Sequence, residues 1–217
     1  MIITVAGQHR ATHPPELGTI LVRIALEDDD AAAAMAALTR EAEQLSTEIA
    51  ALREATPSPV TASSVQAPGT RSWRPWNEHG EVLPARHEAS VSASVTFDDA
   101  AALAETASRW GERDGWSVAD VVWSLTDEVH TRLEAAALQE AVADARRRAE
   151  AIAAACGSGA VRVLDIADAG LLPGLSGAEA QGEALAMRAM AKDSADGVAV
   201  APDDVEVLVR LHARFEA

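Results

Sequence analysis

The stretch EASVSASVTFDDAAALAETASRWGER, residues 88–113, decides the fold class. Ala89, Val91, Ala93, Val95 and Phe97 alternate with Glu88, Ser90, Ser92, Ser94 and Thr96. That period of two gives a strand one face in a core and one face in water. At Asp98 the period changes. Leu103, Ala107 and Trp110 now recur at the spacing of a single helix face. A carboxylate at the switch accepts the unpaired N–H groups of a helix start and suits the positive end of its dipole.

Working outward, the same grammar repeats. Toward the N-terminus, Ile20, Val22, Ile24 and Leu26 form an apolar strand face, followed by Asp28, Asp29 and Asp30. A helix then carries Met35, Leu38, Ala42, Leu45, Ile49 and Leu52 on one stripe, and Thr56-Pro57 ends it. Packing on a sheet is favoured over a coiled coil, because Ala is common and only about three heptads exist. Residues 2–6 and 60–65 read as strands, with 7–15 as a polar link containing Pro14-Pro15. Toward the C-terminus, 118–125 is a strand and Thr126 or Asp127 caps a third helix. Its stripe is Val129, Leu133, Ala137, Ala141, Ala145, Ala149, Ile152 and Cys156, stopped by Gly157 and Gly159. Residues 161–166 and 205–215 are further strands.

The fold class that follows is α+β: a mostly antiparallel sheet with three Ala-rich amphipathic helices packed on it. The chain reads as one domain over 1–217, either continuous or as two interlocked lobes, 1–67 and 86–217, joined by a loop at 68–85. That loop, with Pro68, Gly69, Pro75, Gly80 and Pro84, is a long hairpin connection or a flexible excursion. Residues 168–203 form a second long segment, with a short helix expected around 184–191. Connections of this length mark functional, oligomer-forming or disordered segments.

Composition narrows the function classes. The formal charge is −16, from 34 acidic and 18 basic residues. Such a field repels phosphate backbones and anionic membrane surfaces, so neither nucleic acid nor a membrane span is expected as a partner. No apolar run approaches the length needed to cross a bilayer. Cys156 is the single cysteine, which excludes an internal disulfide framework; at the end of an apolar stripe it reads as a packed, inert thiol. No charged and apolar leader pattern opens the chain, so a cytoplasmic location is expected, or an envelope location if a leader has been removed.

Signals for chemistry are sparse. There is no G-x-x-x-x-G-K-[ST], no G-x-G-x-x-G after a strand and no G-x-S-x-G. His9 and His13 stand four apart beside Pro14-Pro15, and His79, His87, His130 and His212 are scattered, so no metal site is expected. The paired carboxylates Asp28 to Asp30, Asp98-Asp99 and Asp203-Asp204 adjoin helix or strand starts, where capping explains them. No catalytic residue and no cofactor is expected, and the chain does not read as an enzyme. One segment stands apart: Arg71, Trp73, Arg74 and Trp76 lie in the 68–85 loop. Trp and Arg are the side chains most enriched at binding hot spots, so these four are the candidate interaction residues; rings folding back onto the core or a neighbouring subunit is the competing reading. Met187 and Met190 could form a small adaptable apolar face.

The order of these elements resembles the SIMPL-domain family, which includes bacterial periplasmic immunogenic proteins. The residues that carry it are Ile3-Thr4-Val5-Ala6-Gly7 with Pro14-Pro15-Glu16, and the Ala89-to-Phe97 strand running into Asp98-Asp99. With them go Val121-Val122-Trp123-Ser124-Leu125-Thr126-Asp127, the helix end Ala149 to Gly157, and the closing strand from Pro202 to Phe215. The resemblance covers nearly the whole chain. It implies an α+β fold, ring-like oligomers in some members and, by analogy, a link to stress tolerance or the envelope. It carries over no catalytic residue. The expectation is a non-enzymatic, self-associating interaction or scaffold protein, with a homo-oligomer or another protein as partner. The alternative is a small-molecule-binding protein with its pocket between helices and sheet.

Overall fold

The computed structural model describes residues 1–76, 80, 82–172 and 203–217. They form β1 (Ile2–His13), β2 (Leu17–Asp28), α1 (Ala31–Glu54), β3 (Val60–Val65), β4 (Gly69–Trp73) and β5 (Arg86–Phe97). The rest are α2 (Ala100–Gly111), β6 (Trp116–Ser124), α3 (Asp127–Ala155), β7 (Arg162–Asp168) and β8 (Val205–Glu216). All strand pairs are antiparallel, and the fold is α+β. The chain divides into two compact units, 15–125 and 1–14 with 126–217. The described residues of the 68–85 segment belong to the 15–125 unit.

In the 15–125 unit the sheet order is β3-β5-β2-β6, with β4 also paired to β5. β3 takes the Ala93–Phe97 half of β5 and β4 takes the Arg86–Ser90 half, so the two short strands share one edge. The alternation in β5 holds residue by residue: Ala89, Val91, Ala93, Val95 and Phe97 are buried while the Ser/Thr positions between them are half-buried. Those five pack with Ile20, Val22 and Ile24 of β2 against Leu38, Leu45 and Ile49 of α1 and Leu103 and Trp110 of α2. Asp30 caps α1, accepting from the N–H of Ala32 at 2.7 Å and of Ala33 at 3.4 Å. Asp99 caps α2, one residue later than the change of period suggests, accepting from Ala101 at 2.8 Å and Ala102 at 3.1 Å. Thr106 is buried on α2, with Ala107 only packed against the core's margin.

The second unit is a three-stranded sheet, β1-β8-β7, backed by α3. β1 does not stop at Ala6. It continues to His13, since β8 pairs with it residue by residue from Ile2–Glu216 to His13–Val205. Cross-strand backbone bonds hold residues 7–13 extended, although their side chains are mostly polar. Ala137, Ala141, Ala145, Ala149 and Ala153 are all fully buried along α3. Thr126 caps this helix, accepting from the Val129 N–H at 3.4 Å. It ends at Gly157, whose φ of +75 is a left-handed value suited to glycine, with the Ser158 N–H donating to Ala153 at 2.9 Å.

Cys156 corrects the sequence expectation: it is exposed. The buried stripe keeps a spacing of four through Ala153, which leaves Ile152 and Cys156 at the surface. The loop expectation is corrected too, because residues 69–73 are strand β4. The short helix expected near 184–191, with Met187 and Met190, and His79 lie outside the described residues.

Candidate functional site

The four candidate interaction residues fall on the β4–β5 hairpin. Its paired part ends at Trp73–Arg86, just past the last β2–β5 pair, Asp28–His87. Beyond it a bridge joins Trp76 to Val82, and the Leu83 N–H donates to Pro75 at 2.9 Å. The hairpin is anchored at its base. Arg86 reaches Asp29 at 2.5 Å, and the Ser72 hydroxyl sits 2.8 Å from His87 Nδ1. Glu88 accepts from Arg71 at 3.2 Å and from Arg23 at 2.8 Å, tying β4 through β5 to β2.

The structure separates the four by role. Arg71 lies over the Trp73 ring, 4.9 Å from its centroid, and Trp73 is half-buried. Arg74 is exposed, and Trp76 is 73% exposed beside Val82 at 56%. An indole that open to water is an apolar contact surface with a donor at its edge.

A second feature of the same unit is a groove of about 440 Å³ between α1 and the β3–β4 edge of the sheet. Its apolar lining is Met35, Leu38, Ala42, Val65, Pro68 and Val91. Thr39, Glu43, Ser46, Thr47 and Gln66 supply the polar part. Small residues on α1 and the early end of β3 leave this gap. The three hydroxyls turn back on their own helix: Thr39 donates to Met35 at 2.9 Å, Ser46 to Ala42 at 2.8 Å and Thr47 to Glu43 at 2.9 Å.

A third cluster escaped the sequence reading. Glu48 of α1 accepts from Trp110 Nε1 at 2.9 Å and from Arg113 at 2.5 Å, while Glu41 accepts from Trp116 Nε1 at 3.0 Å. Arg113 covers the Trp116 ring at 4.7 Å, and the two indoles lie 6.0 Å apart, tilted by 49°. Burial raises the Glu48 pKa, but the hydrogen bonds from Trp110 and Arg113, with the Arg113 and Arg109 charges, outweigh it and hold the group below the usual carboxylate value. The signal was present as Glu41 and Glu48 two turns apart on α1, and Trp110, Arg113 and Trp116 spaced by three. Pairing them requires knowing which helices are neighbours. The cluster is a latch between α1 and the α2–β6 turn: Glu41, Glu48, Trp110 and Trp116 are partnered within it, while Arg113 Nη1 is buried without a hydrogen-bond partner.

The described histidines do not converge. His9 and His13 both lie on β1, where four residues of extended chain span about 13 Å, too far for one metal ion. Among the described residues no group of three His, Cys, Asp or Glu side chains is arranged to hold a metal ion. Among the same residues, no helix is long and apolar enough to cross a membrane.

No curated protein matches the chain. The family model described as SIMPL, protein of unknown function (DUF541), matches residues 3–215. Those residues reach into every strand and helix described above, missing only Ile2 of β1 and Glu216 of β8, and cover nearly the whole sequence, so the chain belongs to the SIMPL (DUF541) family.

Proposed function

We propose that this protein is a non-enzymatic interaction or scaffold protein that associates with itself through the β4–β5 hairpin. The observation behind this reading is the apolar end of that hairpin, where Trp76 is 73% exposed, Val82 56% and Leu83 38%. Burying such side chains stabilises an interface by roughly 1.5–3 kcal/mol each for full burial. Trp and Arg are the usual anchors of a hot spot, and Arg74 stands beside Trp76. The paired strands that lead to Trp76 are braced by the Arg71–Glu88–Arg23 and Arg86–Asp29 ion pairs, which lowers the ordering cost of those strands on association.

Gel filtration with light scattering at micromolar concentration tests this. The expected result is a mass above that of one chain, which falls toward it on Trp76→Ala. A strict monomer, unchanged by Trp73→Ala and Trp76→Ala, overturns the reading.

A further inference from the structure

We infer that the groove between α1 and β3 binds a small cationic amphiphile, a primary amine on an apolar chain. This goes beyond self-association and does not rest on it. The groove's volume, about 440 Å³, falls in the range of small-molecule sites. Its floor is apolar, from Met35 and Leu38 of α1 to Val65 and Val91 of the sheet, so it takes a hydrocarbon body.

The polar edge decides the head group. A hydroxyl has one hydrogen and two lone pairs. Thr39, Ser46 and Thr47 each spend that hydrogen on the carbonyl four residues back, which leaves them acceptors only. Glu43 adds a carboxylate, also an acceptor only when ionised. Among the described residues, Gln66 is the one lining side chain with N–H groups to give, and no Lys or Arg lines the groove. A ligand must therefore bring donors and gains from positive charge. An alkylammonium brings three N–H donors and one charge. A carboxylate or phosphate head brings neither, and the formal charge of −16 repels it.

Calorimetry with decylammonium, decanoate and decyltrimethylammonium, all below their micelle concentrations, tests the assignment on the intact chain. Decylammonium binds one per chain and saturates, and decanoate binds at least about tenfold more weakly. Decyltrimethylammonium, which keeps the charge but loses the N–H donors, falls between them. Glu43→Gln weakens decylammonium about threefold to fivefold, as for an exposed ion pair. Val65→Trp fills the groove from a side chain already 44% exposed, so it abolishes binding while the melting temperature holds; Ala42→Leu does the same from the helix side. Equal binding of decanoate, or decylammonium binding unchanged by both filling variants, overturns the proposal. So does many-site uptake that never saturates, which marks attraction to the overall charge alone.

Discussion

A Cβ placed on Gly7 of β1 would lie 2.7 Å from the Cβ of Ala145 on α3 and 2.2 Å from the carbonyl oxygen of Ala141. The strand residue without a side chain thus faces the smallest chiral residue of the helix. That pairing lets α3 lie close to β1, with Ala141, Ala145, Ala149 and Ala153 buried against Ile3, Val5, Leu211, Ala213 and Phe215. Close packing replaces large side chains as the source of contact in a unit with few aromatics.

Gly7→Ala is expected to lower stability by about 2–3 kcal/mol, since overpacking a tight seam forces backbone apart. Ala145→Gly in the same chain does not restore the loss, because the nearest obstacle is the Ala141 carbonyl oxygen, which belongs to the backbone. Urea midpoints of the two single variants and the double variant check this. Full rescue by the second substitution would show that side-chain crowding alone sets the seam.

Glu48→Gln is expected to cost about 1–2 kcal/mol at neutral pH, because Arg113 and Trp110 lose a charged acceptor. The folded pKa of Glu48 lies below its unfolded value, so the unfolded chain binds the proton more readily. Its contribution is complete above the ordinary carboxylate pKa and is lost as pH falls through the depressed folded value. The stability gap between the native chain and the variant therefore closes on acidification. A gap that stays constant down to about pH 3 contradicts the assignment.

Asp99→Ala is expected to cost about 1 kcal/mol and Asp98→Ala within about 0.5 kcal/mol. Only Asp99 accepts the N–H groups of Ala101 and Ala102. Thermal melts of the two neighbours separate the cap from its flank, and equal losses would remove the distinction.

Cys156 is expected to react with an aromatic disulfide reagent in native buffer, one equivalent per chain, with the same amplitude as in denaturant. It is exposed at the end of α3. Protection in the native state would place it against a partner surface.

Much of the fold was legible because strand and helix periods are local. The alternation of 88–97, the stripe of α1, and the cap sites near Asp30, Asp99 and Thr126 needed no knowledge of distant residues. Where local polarity and distant pairing disagree, pairing prevails: residues 7–13 read as a link, yet β8 holds them in β1. β4 likewise exists because β5 offers it an edge. The Trp/Arg segment stood out by composition, but only the structure separates a braced Arg71–Trp73 pair from an exposed Trp76.

By itself, then, the sequence determined the α+β class, the buried stripe of α1 and family membership, since these follow from short-range periodicity and element order. Tertiary structure decided that there are two sheets, that Cys156 is exposed, that Glu48 latches α1 to Arg113, and that a groove opens between α1 and β3. Each of those depends on which distant segments become neighbours. Long-range pairing and packing set that, and no window of adjacent residues contains it.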